Sequence, residues 1–265
     1  ADVGLKEFLV KDGRQFLRLN LPLGDHGQFS TTSKDALAMK TAQENLELVR
    51  LRFEQVGFTN PSAWSAALKE ATTAAEAIKT HKDYLTADSA SSAEAFTSEL
   101  MPALQTLQEA MRSKDIEATI GAQERAAQAL ADLRARQLPR HALPFAIPDE
   151  YSSLPALKGR AVVQLRVHSE RGIRVPSVPF YAQLAYSLMG NKDPPSAVQH
   201  DVDFELTLDG YHAPLAAGSV VDLASRRFYD GMPIQRVDEV AYSPHTTHTS
   251  PYSTHYQPSL CLSPS

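Results

Sequence analysis

The sequence predicts an α+β protein: an N-terminal up-and-down four-helix bundle followed by a region of β-strands. Three observations carry this reading. Residues 30–138 hold only two glycines and two prolines among many Ala, Glu, Gln, Lys and Leu, which is helical composition. Apolar residues in that stretch recur at steps of three and four. Beyond Pro148 the apolar period becomes two, as in half-buried strands.

Residues 1–29 form a mixed N-terminal segment, in which an amphipathic stretch from Leu5 to Leu19 runs into the breaker Leu21-Pro22-Leu23-Gly24. In the bundle, residues 30–138, the first helix carries Met39, Ala42, Leu46, Val49, Phe53 and Val56 as one stripe. Ser33 or a preceding threonine caps it and Gly57 ends it. Asn60 caps the second helix, with Pro61 at its first position and Trp64, Leu68, Ala71, Ala75 and Ile78 as its stripe. The third follows the cluster Ser89 to Ser92 and carries Phe96, Leu100, Leu104, Leu107 and Met111. Pro102 falls in its first turns or kinks it. The fourth starts near Ser113, with Ile116, Ile120, Ala127, Leu130 and Leu133. Four such helices on short connections give an up-and-down bundle.

Pro139, Pro144 and Pro148 mark a linker over 139–156, with Leu143, Phe145 and Ile147 as apolar anchors that hold it on the surface. Residues 157–240 read as β. Val163, Leu165 and Val167 alternate with Gln164, Arg166 and His168, and Val202, Phe204, Leu206 and Leu208 alternate with Asp203, Glu205 and Thr207. Residues 169 to 201 between them are expected to form a long connection, rich in proline. Asp209-Gly210 is a turn, Pro214 opens a short helix through Leu223, and Tyr229-Asp230-Gly231 turns before Ile234. The tail, 241–265, holds no Asp, Glu, Lys or Arg and is mostly Ser, Thr, Pro, His and Tyr, so it is expected to be disordered.

The 265 residues bear a net charge of -5, which argues against a nucleic-acid partner. No apolar run reaches the roughly 18 residues of a transmembrane segment. Cys261 is the one cysteine, so no intrachain disulfide forms. The chain begins at Ala1 without a charged-then-apolar leader, and a removed targeting segment or a trimmed chain is expected.

Two segments resemble one family. Ile147-Pro148-Asp149-Glu150-Tyr151 with Leu154-Pro155-Ala156-Leu157-Lys158-Gly159-Arg160 is similar to the junction that opens the isomerase domain of the large thylakoid-lumen cyclophilins. The run from Leu208-Asp209-Gly210-Tyr211-His212-Ala213-Pro214-Leu215 through Ala217-Gly218 and Val221-Asp222-Leu223 to Phe228-Tyr229-Asp230-Gly231-Met232-Pro233-Ile234-Gln235-Arg236 resembles the next part of that domain. The resemblance implies a bundle like the Q-type extrinsic subunit of photosystem II, then a cyclophilin-like β-barrel that catalyses prolyl cis–trans isomerisation, in the chloroplast thylakoid lumen and peripheral to the membrane. It implies a photosynthetic complex, photosystem II, as partner of the bundle, and proline-containing client segments for the barrel. No cofactor is implied.

The chain departs from the pattern at Ser219 and Val220, where the family commonly has Asn-Phe, and the match stops at Arg236-Val237-Asp238. The barrel is therefore expected to be partial, the chain truncated or divergent at its C-terminus, and isomerase activity weak or lost. The alternative is an active peptidyl-prolyl isomerase. By resemblance the catalytic residue is Arg236. A guanidinium aimed at the proline nitrogen competes for the lone pair that gives the X-Pro bond its barrier of about 18–20 kcal/mol, provided an apolar proline pocket preorganises it. The other reading of Arg236 is an arginine exposed on an incomplete sheet. His245, His248 and His255, with Cys261, invite a zinc site, but their low-complexity setting argues against an ordered ligand frame. Trp64 and the apolar stripes read as core, and Glu44, Glu47 and Glu54 with Lys40, Arg50 and Arg52 as a solvated helix surface.

Overall fold

The computed structural model describes residues 13–30, 32–177, 195–234 and 260–261. Contacts divide these into a helical unit up to Asp149 and a sheet unit starting at Glu150.

The helical unit opens with α1 (Gly13–Leu19) and a two-stranded ribbon, β1 (Gly24–Asp25) and β2 (Gln28–Phe29), closed by His26 and Gly27 at φ 48° and 81°. Positive φ at both central residues matches the right-handed twist of a tight hairpin. Then come α2 (Lys34–Val56), α3 (Pro61–Thr80), a short α4 (Lys82–Thr86), α5 (Ala90–Ala95), a π-turn over Phe96–Leu100, α6 (Met101–Ser113) and α7 (Ile116–Arg136).

Local chemistry sets these boundaries. Ser33 Oγ accepts the Ala36 amide at 3.3 Å and Asn60 Oδ1 accepts the Ser62 amide at 3.0 Å, so α2 and α3 start at side-chain caps. Gly57 at φ 80° ends α2. The fourth long helix, expected to start near Ser113, is capped at Asp115, whose Oδ1 accepts the Ala118 amide at 2.9 Å; Lys114, left-handed at φ 57°, ends α6 just before it. Pro102 has no amide to donate back along the helix, and the π-turn lies immediately before it, at Phe96–Leu100.

The core of this unit is formed where α2 packs on α3 and α7, α3 on α6, and α6 on α7. Met39, Leu46, Phe53, Ile78, Leu100, Leu107, Leu130 and Leu133 are buried in it. Phe53 stacks on Phe58 with ring centroids 4.3 Å apart, and Trp64 donates its indole N–H to the Phe58 carbonyl at 2.7 Å.

Two sequence expectations fail here. Val56 is exposed, because α2 ends at that residue and Phe58, past the turn, stacks on Phe53 instead. Glu47 and Arg50 are buried and not part of a solvated surface. The reason at Glu47 is long-range: Arg18 on α1 donates to its two carboxylate oxygens at 2.6 and 3.1 Å.

After a 3-10 turn at Asp149–Tyr151, the sheet unit contains β3 (Arg160–Pro176), β4 (Ser196–Asp209), α8 (Pro214–Ser225), β5 (Pro233–Ile234) and β6 (Leu260–Cys261). The order is β4-β3-β6-β5, all antiparallel, and the described strands close no barrel. Among the described residues, the predicted partial barrel is an open antiparallel sheet.

The region expected to be a long connection contributes strand instead: β3 and β4 stay paired out to Pro176 and Ser196. The register breaks between His168 and Ile173, near Gly172 at φ 75°. Val163 lies opposite Leu206, Leu165 opposite Phe204, and Val167 opposite Val202, so the two predicted apolar rows meet on one face. Val167 and Val202 are buried, but Phe204 and Leu206 are 45% and 43% exposed. The described strands leave that end of the face uncovered. The tail expected to be disordered lies outside the described residues, except for Leu260 and Cys261, which form β6 between β3 and β5.

Candidate functional site

The described residues of the two motifs from Glu150 to Arg160 and from Leu208 to Ile234 lie in the sheet unit. Leu157 donates its amide to the Pro214 carbonyl at 2.9 Å, and Gly210 donates its amide to the Gly159 carbonyl at 2.8 Å. The segment entering β3 therefore lies against the turn leaving β4. A Cβ on Gly210 would meet the Leu157 carbonyl oxygen and, at 2.6 Å, that of Gly159. A Cβ on Gly218 would meet the Pro155 carbonyl oxygen and, at 2.7 Å, the Ala156 Cα. Both glycines are required by backbone approach.

Asp209 ties the junction together. Its Oδ1 accepts the Tyr211 amide at 3.0 Å, and its Oδ2 lies 3.2 Å from Arg160 Nη2 and 3.0 Å from His212 Nδ1. The Arg160 guanidinium sits 5.8 Å from the centre of the Tyr211 ring. Burial pushes the Tyr211 phenol above its ordinary value, against the opposing pull of Arg160. The cluster positions backbone: it fixes the angle at which the chain leaves β4 and enters α8.

After α8, Phe228 donates its amide to the Leu223 carbonyl at 3.0 Å and Met232 donates to Tyr229 at 3.2 Å, with Arg227 at φ 57°. This turn delivers the chain to β5, where Pro233 pairs with Cys261 and Ile234 with Leu260. Phe228 and Met232 stand exposed beside it, and the Phe228 and Tyr229 rings meet edge to face at 5.4 Å. Arg236, the predicted catalytic residue, lies outside the described residues, as do His245, His248 and His255. The described residues hold no cluster of three or more His, Cys, Asp or Glu that could bind a metal ion.

The sequence marks Asp209 as a turn residue and Arg160 and Tyr211 as motif residues, but assigns their side chains no role. The available signal was local: Asp-Gly-Tyr-His is an Asp followed by a glycine turn, a pattern that favours a side-chain cap onto the amide two residues on.

The helical unit has a separate cleft of about 650 Å³ between the Asp88–Ser92 turn and the segment after α7. Arg136, Arg140 and His141 make one side basic, and Arg136 donates to the Ser91 carbonyl at 3.0 Å.

No family model matches the chain. It is 31% identical over 203 residues to a protein of Synechocystis sp. named as a thylakoid lumen peptidyl-prolyl cis-trans isomerase, a match covering 74% of this chain and 45% of that one. It is 40% identical over 95 residues to a chloroplastic peptidyl-prolyl cis-trans isomerase of Arabidopsis thaliana, covering 36% of this chain and 16% of that one. The chain thus spans less than half the length of these relatives. No helix among the described residues is long and apolar enough to cross a membrane.

Proposed function

Because this chain is a homologue of the thylakoid-lumen, cyclophilin-type peptidyl-prolyl isomerases, we propose that it works in the lumen, at the membrane periphery, as a binding protein in photosystem assembly or stability, with isomerase activity weak or lost. The observation that supports this is the open sheet: Phe204 and Leu206 lie exposed on its apolar face. Prolyl isomerisation needs an enclosed apolar pocket that fixes the proline while a cation is aimed at its nitrogen. An uncovered apolar face is suited to binding and poorly suited to that chemistry.

In this reading α2, α3, the run α5–α6 and α7 act as an up-and-down four-helix bundle and carry the contacts to photosystem II. Arg236 is the residue that would touch the proline-containing client. The second reading, an active isomerase on lumenal clients, is favoured by the names of both relatives.

The test is catalysed relaxation of a proline-containing peptide, compared with the uncatalysed tens to hundreds of seconds. The expected result is little or no acceleration by the 265-residue chain, unchanged in Arg236→Ala. A large acceleration that Arg236→Ala abolishes would establish the enzyme reading.

A further inference from the structure

The β4 strand is the outermost strand of its sheet, and it is 14 residues long. Every residue from Ser196 to Thr207 is exposed except Val202. Proteins commonly blunt such edges with short strands, Lys or Pro. Ser196–Asp209 contains neither Lys nor Pro, and the register irregularity bends β3 between His168 and Ile173. The outer edge of β4 has no strand partner among the described residues.

Its two faces are chemically distinct. Asp201, Asp203 and Glu205 alternate along one, and Val202, Phe204 and Leu206 along the other. On the β3 side, Arg166 binds Asp203 at 2.7 and 3.1 Å, and His168 Nδ1 lies 2.9 Å from Asp201 Oδ1. Glu205 stands opposite Gln164, which carries no charge. The opposite side of this acidic row faces the open edge.

Cross-strand pairs of opposite charge stabilise an antiparallel ladder and like pairs destabilise it. Two copies of β4 set edge to edge would bring acidic rows together, so the row guards against self-pairing. The same row selects a partner strand of opposite charge. We propose that the open edge of β4 binds, by strand addition, an extended protein segment in which basic residues alternate with apolar ones. Its basic side chains lie beside Asp201, Asp203 and Glu205, its apolar ones extend the Phe204 and Leu206 surface, and its backbone completes the ladder. This site is independent of Arg236 and of the isomerase question.

The experiment uses the full chain and a fluorescent peptide of about eight residues, the length of an ordinary strand, alternating Lys and Val. Anisotropy and amide exchange are read together. Binding that weakens with salt and slows exchange across Val198–Leu206 is expected. A peptide of the same composition with its Lys and Val in two blocks is expected to bind at least about tenfold more weakly, because only alternation puts all charges on one face. Glu205 is exposed and has no charged residue opposite, so Glu205→Lys keeps the fold, checked by circular dichroism. That variant is expected to weaken the Lys/Val peptide about fivefold and to improve binding of an alternating Glu/Val peptide. Equal binding of the block peptide, indifference to Glu205→Lys, or unprotected β4 amides would overturn the proposal. So would self-association that protects β4 without peptide, since a second copy would then be the occupant.

Discussion

Arg18 is the side chain on which the N-terminal segment depends. It is almost fully buried, bound to Glu47 at 2.6 Å and to Glu124 at 2.9 Å, while Gln43 Nε2 donates to Glu47 at 3.2 Å and to the Ala127 carbonyl at 3.0 Å. Burial alone would lower the guanidinium pKa, but the two carboxylates outweigh it and hold it above its usual value. Arg18→Ala leaves Glu47 buried without its cation, and a loss of about 3–5 kcal/mol in urea unfolding is expected. Replacing Arg18, Glu47 and Glu124 together with Met, Leu and Gln should recover much of that, because both carboxylates go with their cation. Tyr84 makes a pH prediction. Its hydroxyl donates to the Gly24 carbonyl, and burial pushes the phenol up to about 12, with Arg134 opposing and Asp25, Asp35 and Asp88 assisting. A raised pKa stabilises the fold fully below the unfolded value of about 10, and that stabilisation is lost as pH rises through about 12. Tyr84→Phe is expected to cost about 1 kcal/mol at neutral pH and to flatten the alkaline limb of the stability curve, followed by thermal melts across pH.

At the scale of elements, α8 is held against the chain entering β3 by close backbone approach as well as by hydrogen bonds. Gly218 faces the Pro155 carbonyl, and only Pro214, Ala217 and Gly218 of that helix are buried. Gly218→Ala pushes a methyl group into backbone that has no rotamer to yield. A loss of about 1–3 kcal/mol is expected from such overpacking, visible as faster amide exchange in α8 and at Leu157 and Gly210, with α2–α7 unchanged. Gly13→Ala is the control, since a Cβ there meets nothing within 4 Å. The helices themselves were legible. The stripes on α2, α3, α6 and α7 are runs of three-and-four spacing, and Ser33 and Asn60 are caps within three residues of the amides they bind. Ser113 and Asp115 are both residue types that cap helices, and the left-handed turn at Lys114 decides for Asp115 as the cap of α7. The outer half of β3 does not read as strand because the register shift after His168 breaks its alternation, and residues 196–200 offer only Ala197 and Val198 as apolar residues.

For the whole molecule, the helical unit should fold without the sheet unit, but not from residue 30. Its core is formed by α2 to α7, yet Arg18 and Leu21 are buried and Tyr84 is bonded to Gly24. A fragment of residues 13–149 is expected to melt cooperatively. A fragment of 30–138 lacks the cation of Glu47 and is expected to lose the same few kcal/mol, about 3–5, as Arg18→Ala. Residues 150–240 omit β6, which bridges β3 and β5, and are expected to melt broadly. Melting of all three fragments by circular dichroism checks this. A cooperative 30–138 fragment as stable as 13–149 would remove the structural role of the N-terminal segment.

By itself the sequence determined what depends on neighbours a few residues apart: the helical stripes, the turn at Asp209-Gly210, the alternation in β3 and β4, and the glycine-bearing motifs that mark the relatives. Those features follow from periods of 3.6 and 2 and from short-range capping. The tertiary structure decided what depends on partners distant in the chain. Glu47 reads as a surface acid until Arg18, 29 residues away, is brought to it. Phe204 and Leu206 read as half-buried until the described strands are seen to form an open sheet. Burial and charge pairing are properties of which surfaces meet, and a one-dimensional pattern specifies which face of an element is apolar without specifying what will cover it.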